Sequence, residues 1–547
     1  MMKLIRLNKG IKTNTTKFYY LKMGTEKITV HVDGRDRPPL VPSTRFTLAL
    51  LVFFAFIVQY SQRVNLPIAI VCMVNRTKPI QHNLAHRETI ELPDDISENT
   101  FPLPTTELTH ISIEKGGIFQ EKQFYWTELQ QQLLLGGYWA GYIFTQVPGG
   151  WFATSIGAKW VYAVSLGTSS LATLALTLMY MMSNTHFALA FVLRFITGLA
   201  HGVLFPATIA LWSVWAAPQE RSTLASIGFS GTHLGTSLTM LIGGILCRYF
   251  YAGWIYLLVI TSVLGFIWLV LWVILTANSP YVHKGISKHE RDYICRLTGN
   301  TGTRRLTSLT SLPWKKIIKS KAVIALMISH ITNLFGLFFF LTNFAKISNE
   351  LLRISPQDTG YILCLGYFLT LLGSLSSGFT ADHLVRANKI TLTTARKIFN
   401  SLTSFIPVVC MISFYFCDQS QQMLGVITIL VYLASTGFAF GSGYVVNFAD
   451  IAPAFSGIIF GLANTFASLA GLIGNIVAGL VVKKPVLEQW RKLYIMFGIC
   501  YFIGGLVFLI YGSAIPRKWA TFQAMSNNAK QEKKLNNEEI IPMNEKI

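Results

Sequence analysis

The informative side chains of this 547-residue chain are the few ionisable ones that fall inside long apolar blocks. A charge at the centre of a bilayer costs about 2.5–3.5 kcal/mol on insertion scales, so each such group implies a partner or a task. Arg63 stands in Tyr60-Ser61-Gln62-Arg63-Val64-Asn65-Leu66-Pro67. The apolar residues after it leave no easy route for the side chain to reach the surface. A permanently charged planar fork of donors suits an anionic ligand, and the competing reading is a structural pair with a carboxylate. Arg194 opens Arg194-Phe195-Ile196-Thr197-Gly198-Leu199-Ala200-His201-Gly202, which puts His201 two helical turns on, close to the same face. Histidine exchanges a proton near neutral pH, so His201 is a candidate proton gate or hydrogen-bonding group, against the alternative of a packed, satisfied ring. Arg194 reads as a group for substrate or for coupling between parts of the molecule. His330 and His233 are candidate cavity residues. Asp450, in Asn447-Phe448-Ala449-Asp450-Ile451-Ala452-Pro453, reads as a helix-end or gate contact to a basic loop residue. Glu128 reads as a helix-start cap.

The elements that must position these groups follow from composition. Apolar residues make up 52% of the chain and charged residues 13%. Soluble chains carry about 25% charged residues, so a soluble enzyme is excluded. A helical span needs roughly 20 apolar residues. Twelve blocks reach that length, near 46–73, 129–152, 160–183, 186–216, 222–250, 253–277, 322–345, 358–380, 398–417, 422–449, 454–482 and 493–514. Backbone groups in lipid must pair within the segment, so the blocks predict helices. The chain divides into a tail 1–44, a six-helix half 45–278 with an outer loop 74–125, a linker 279–321, a second six-helix half 322–514 and a tail 515–547. With both tails in the cytoplasm, 31 Lys and Arg fall on the inner side and 11 on the outer, which predicts that orientation. Asn75-Arg76-Thr77 is then a glycosylation sequon on the outer side, in a loop read as a cap.

The net charge of +21 sits in loops and tails rather than along a helical stripe, which excludes nucleic acid as the partner. The seven cysteines form no C-x-x-C pair and none lies in 74–125, so they read as small apolar residues in helices. The first 44 residues lack an apolar signal region, which leaves the first span to target the membrane. No nucleophile elbow, phosphate-binding glycine loop or His-Glu-x-x-His is present, so no enzyme activity, metal or cofactor is expected. Glycines recur in matching spans of the two halves: Gly228, Gly231 and Gly235 in the fifth, Gly457, Gly461 and Gly471 in the eleventh. Such spacing lets helices approach closely.

Four stretches carry a family resemblance across about residues 45–515: Arg63 to Val71, Gly141 to Gly150, Phe205-Pro206-Ala207 with Trp212 to Ser222, and Asn447 to Pro453 followed by Gly457, Gly461 and Asn464-Thr465. Together with Arg396 to Asn400 they resemble the anion:cation symporters of the major facilitator superfamily. That group holds sialin, the vesicular glutamate carriers and the type I sodium–phosphate cotransporters, and the arthropod inorganic phosphate cotransporters look most similar. The resemblance implies an all-α integral membrane fold of twelve helices in two halves. It implies anion contact at Arg63 and support of coupling at Arg194; Phe205 and His330 are expected beside the substrate, and His201, Asn447 and Asp450 as further coupling or gating residues. The sequence departs from the family at Pro67, usually Ser; at His201, usually Glu; at Ile209, often His; and at Asn333, an arginine in the glutamate carriers. The loop 153–159 lacks the usual Asp-Arg.

The expected function is secondary active transport of an inorganic or organic anion, phosphate-type favoured, driven by Na⁺ or H⁺ through alternating access. The alternatives are a proton-coupled organic-anion carrier and a non-pumping anion sensor. The expected setting is a monomer in the plasma membrane or an endolysosomal or vesicle membrane, with a small anion and the lipid bilayer as its partners.

Overall fold

The computed structural model describes residues 18–23, 26–31, 37–73, 126–181, 187–299, 312–483 and 486–522. Apart from a two-stranded antiparallel hairpin in the tail, β1 (Phe18–Met23) and β2 (Glu26–His31), the described residues fold as helices. The first half holds α1 (Thr44–Met73), α2 (Glu128–Phe144), α3 (Gln146–Phe152), α4 (Ala158–Met181), α5 (Phe187–Gly202), α6 (Leu204–Trp215), α7 (Arg221–Tyr249) and α8 (Gly253–Leu275). The linker contributes α9 (Lys288–Thr298) and α10 (Trp314–Ile318). The second half holds α11 (Lys321–Glu350), α12 (Pro356–Arg386), α13 (Leu392–Phe416), α14 (Gln422–Gly441), α15 (Tyr444–Ile451), α16 (Ser456–Val481) and α17 (Leu487–Tyr511).

Ten segments among the described residues are long and apolar enough to cross a membrane, fewer than the twelve blocks expected. The shortfall has a physical basis. One segment, Gln146–Tyr180, runs from α3 into α4 through a π turn at Ala153–Gly157, joining two expected spans. The 17-residue α2 is the separated first part of the second block. The fifth block, α7, is diluted by Ser, Thr and Gly where it faces other helices.

Three of the expected spans are broken, and proline accounts for two of the breaks. Pro148 has no N–H for the carbonyl of Phe144, and the helix divides at Thr145. Pro206 likewise offers nothing to Gly202, and α5 gives way to α6 at Val203. The tenth span breaks at Ser442-Gly443 between α14 and α15.

Within the first half, α1 packs on α7, α2 on α5, and α4 on α8. Within the second, α11 packs on α16, α12 on α14, and α13 on α17. These are the same pairings displaced by six spans, so the two halves share one internal plan, as transporter repeats do. The halves meet along two seams, α7 against α12 and α3 against α16, which exchange places under that correspondence. Small residues allow the approach. A Cβ on Gly150 would collide with the backbone of Gly457, one on Gly461 with the carbonyl of Gln146, and one on Gly378 with Ser226. The fifth-span glycines instead pack inside their own half, Gly231 and Gly235 lying against the α1 carbonyls of Phe53 and Ile57.

The structure corrects the reading of the cysteines. Cys72, at the end of α1, is disulfide-bonded to Cys247, at the end of α7, across 175 residues of sequence. Neither neighbours the other in sequence, so no spacing rule reveals the pair. Cys295, Cys364, Cys410, Cys417 and Cys500 are free. The side chain of Glu128, the sequon at Asn75 and the loop 74–125 lie outside the described residues.

Candidate functional site

A cavity of about 140 Å³ lies between the halves, walled by α1, α2, α6 and α7 on one side and by α11, α12, α14, α15 and α16 on the other. Arg63 lines it. Its guanidinium carbon lies 5.0 Å from the ring centre of Tyr60, 5.8 Å from Tyr138, 4.4 Å from Trp139 and 5.6 Å from Tyr142. Among the described residues its Nη1 donates to the Tyr60 hydroxyl at 3.3 Å. Among the described residues no carboxylate forms an ion pair with Arg63 or Arg194. An aromatic cage stabilises a cation through ring quadrupoles without neutralising it.

Arg194 is buried and turns toward the backbone of α1 rather than into the cavity. Its Nη1 donates to the carbonyl of Gln62 at 3.2 Å and its Nη2 to the carbonyl of Arg63 at 3.4 Å. The carbonyl of Arg63 lacks its normal helical partner, because Pro67 has no N–H, and the N–H of Leu66, due to Gln62, also meets Asn65 Oδ1 at 2.6 Å. Arg194 therefore satisfies the break that Pro67 makes in α1, directly beside the cationic site. His201 lies behind this layer, fully buried, with Nδ1 3.2 Å from the Tyr138 hydroxyl and Nε2 unpartnered among the described residues. Tyr138 in turn covers Arg194 at 5.2 Å.

On the opposite wall His330 lines the cavity, held by Nε2 at 3.1 Å from Asn464 Oδ1 and packed edge-on against Tyr444, Phe448 and Phe460. Phe205 also lines it, stacked on Phe229 and on Phe460 of the other half. His233 is a lining residue too, set against Phe440. Asn333 faces its own half, donating to the carbonyl of Ser329 at 2.8 Å and to Ser404 Oγ at 3.2 Å. Asn447 is buried away from the cavity and donates to the carbonyl of Ser513 at 3.1 Å.

At the end of the bundle that bears the linker, the halves are joined by buried charge. Asp450 accepts from Arg221 Nη1 at 2.6 Å and from Arg396 Nε at 2.7 Å. Arg396, counted as a loop residue in the sequence, is buried inside α13 and reaches Ser222 Oγ of the first half at 2.7 Å. Asp382 accepts from the backbone N–H of Thr223 at 2.6 Å, a carboxylate from one half set on the positive N-terminus of α7 from the other. Beside them Arg45 bridges Glu220 at 2.8 Å and Glu290 of α9 at 3.0 Å, and Arg37 also pairs with Glu220. Glu290 further accepts the N–H groups of Thr44 and Arg45, which caps α1. Burial, and then the charge of Glu220, push the Tyr293 hydroxyl above the usual phenol range, so it stays protonated and donates to Glu220.

The structure thus brings Arg63, Phe205, His330 and His233 to one cavity, sets Arg194 and His201 behind it, and places Asp450 in the ion network at the linker end. Sequence reasoning missed the cage formed by Tyr138, Trp139 and Tyr142, although two tyrosines one helical turn apart are a visible signal for a shared face. It also missed Arg221 and Asp382, which look like ordinary loop-edge charges until the halves are docked.

The sequence profile of the Major Facilitator Superfamily matches residues 48–475. Sialin of Homo sapiens is 31% identical over 503 residues, covering 89% of this chain and 95% of that protein. Sodium-dependent phosphate transport protein 3 of Mus musculus is 26% identical over 480 residues, covering 87% and 95%. Among solved structures, the proton:xylose symporter XylE bound to 6-bromo-6-deoxy-D-glucose superposes with a TM-score of 0.61 at 13% identity, over 88% of this chain and 98% of that one, a likeness of fold.

Proposed function

The chain belongs to the major facilitator superfamily and is a multi-pass membrane transporter rather than an enzyme, and from that premise we propose that it is a cation-coupled carrier of a small organic anion. The observation that supports this most is Arg63, a caged guanidinium without a carboxylate partner in a cavity shared by both halves. Phosphate, the substrate type favoured by the sequence, is a compact mixture of mono- and dianion near neutral pH whose oxygens reward several converging donors. This cavity offers Arg63 among Tyr60, Phe205, Phe338, Phe440 and Phe460, a setting better matched to one carboxylate on an apolar body. Alternating access would come from rocking about the two seams, with the Asp450 network as the gate at the linker end and Arg194 and His201 acting on Arg63 through α1 and Tyr138.

In this reading the linker end and both tails are cytoplasmic. The Cys72–Cys247 disulfide at the opposite end supports it, since disulfides persist on the extracellular or lumenal side.

Purified protein in liposomes, offered labelled phosphate, sialic acid, glutamate and urate under separately imposed Na⁺ and pH gradients, tests the assignment. Concentrative uptake of an organic anion under one gradient, abolished by Arg63→Ala with normal membrane insertion, is the expected result. Uptake of phosphate alone overturns the organic-anion reading. Binding without concentrative uptake favours the sensor. Normal uptake by the Arg63→Ala variant removes the site.

A further inference from the structure

The wall opposite Arg63 carries a hydrogen-bond pattern that constrains what can bind. Asn464, on α16, reaches across to the first half: its Nδ2 donates to Gln146 Oε1 at 2.9 Å and to the Tyr142 hydroxyl at 3.3 Å. With both amide protons engaged, its Oδ1 is left to accept, and the group it accepts from is His330 Nε2 at 3.1 Å. An imidazole whose Nε2 carries the proton presents Nδ1 as a bare acceptor. His330 Nδ1 is buried and, among the described residues, without a partner, in a ring that lines the cavity. At the other end of the same bridge Tyr142 already accepts from Asn464, so its own hydroxyl proton is free to donate, and its ring lies 5.6 Å from the Arg63 guanidinium.

One asparagine therefore gives the cavity a polarity. Around Arg63 and Tyr142 the wall offers donors, which suit an anionic oxygen. At His330 it offers an acceptor, which suits a donor on the ligand. Leaving such a buried acceptor empty is costly, whereas a ligand that satisfies it gains specificity.

We propose that the site recognises organic anions that also carry a hydrogen-bond donor, a hydroxyl or N–H group, at the end away from the carboxylate, with His330 as the acceptor and Asn464 as the residue that positions both His330 and Tyr142. This rests on the reading of Arg63 as the anion contact and adds a second recognition point to it. Asn464 also joins the halves one helical turn from Gly461, where α3 and α16 touch backbone to backbone.

The test measures dissociation constants for the purified full-length chain with matched carboxylates on two scaffolds. One set is butyrate, 4-hydroxybutyrate and its methyl ether, and the other is phenylacetate, 4-hydroxyphenylacetate and its methyl ether. The hydroxyl member is expected to bind about tenfold tighter than its parent, the scale of one net hydrogen bond, and the methyl ether no tighter. His330→Leu should erase that preference while parent binding persists, which also reports that the variant is folded. His330→Gln, which keeps an acceptor, should restore part of it. Asn464→Leu should weaken the preference and lower affinity for every member, because it releases both His330 and Tyr142. Arg63-dependent binding with no preference for the donor, or a preference that survives His330→Leu, overturns this proposal and leaves the anion site standing. Binding indifferent to Arg63→Ala, or no binding on either scaffold, overturns both.

Discussion

Arg63 and Arg194 have the same side chain and opposite tasks, and the division is set by what each guanidinium faces. Arg63 meets π faces and cavity, whereas Arg194 meets the backbone carbonyls of Gln62 and Arg63, the latter freed by Pro67. A lysine at 63 would keep the charge but lose the planar fork that stacks on Trp139 and grips a carboxylate with two bonds. Arg63→Lys is therefore expected to retain some uptake with affinity reduced about tenfold, read as a raised KM in the liposome assay. For Arg194 the expectation is energetic. Arg194→Ala strands the carbonyl of Arg63 at a cost of about 1–3 kcal/mol. Pro67→Ala returns an N–H to Arg63, so the double variant should be less destabilised than the sum of the singles. Thermal unfolding of the four proteins measures the coupling, and strict additivity would show that Arg194 does not serve the proline break.

Among the elements, the seams carry the most consequence. The α3–α16 seam has no room for a Cβ at Gly150 or Gly461, whereas the glycines of α7 serve packing against α1 within one half. Backbone, not a flexible side chain, is the obstacle at Gly150, so the clash cannot be relieved by a rotamer change. Gly150→Val is expected to hold the linker end open. Cysteines placed on α3 and α16 below the cavity should then label rapidly from the linker side, and uptake should fall. Unchanged labelling would mean that the seam has slack the packing does not show.

For the whole molecule, the closed linker end rests on Asp450 holding two buried arginines that come from different halves. Removing one partner of a buried pair leaves an uncompensated charge and costs about 3–5 kcal/mol. Because the pair exists across the interface of the halves, that cost falls on the closed conformation. Asp450→Asn should shift the population toward the form open at the linker end, seen as increased labelling there with each half still folded. A second whole-molecule expectation concerns the disulfide. A protease site inserted in the loop 74–125 should yield two fragments that migrate together without reductant and separate with it. Cys247→Ser should separate them in either case.

Much of this architecture was legible in the sequence. Apolar blocks of bilayer length dictate helices because backbone groups in lipid have no other partners. The scarcity of charge within those blocks singled out Arg63, and its environment bears on function because a lone cation there must be accounted for. What the sequence left open needed the fold: that Cys72 finds Cys247, that Arg221, Arg396 and Asp450 converge, that Arg194 answers Pro67, and that Asn464 spans the cavity to Tyr142. Periodicity and hydropathy are local and fix each helix and its depth. Which polar group meets which depends on how two bundles dock, where partners hundreds of residues apart come within hydrogen-bonding distance and no local pattern records the meeting.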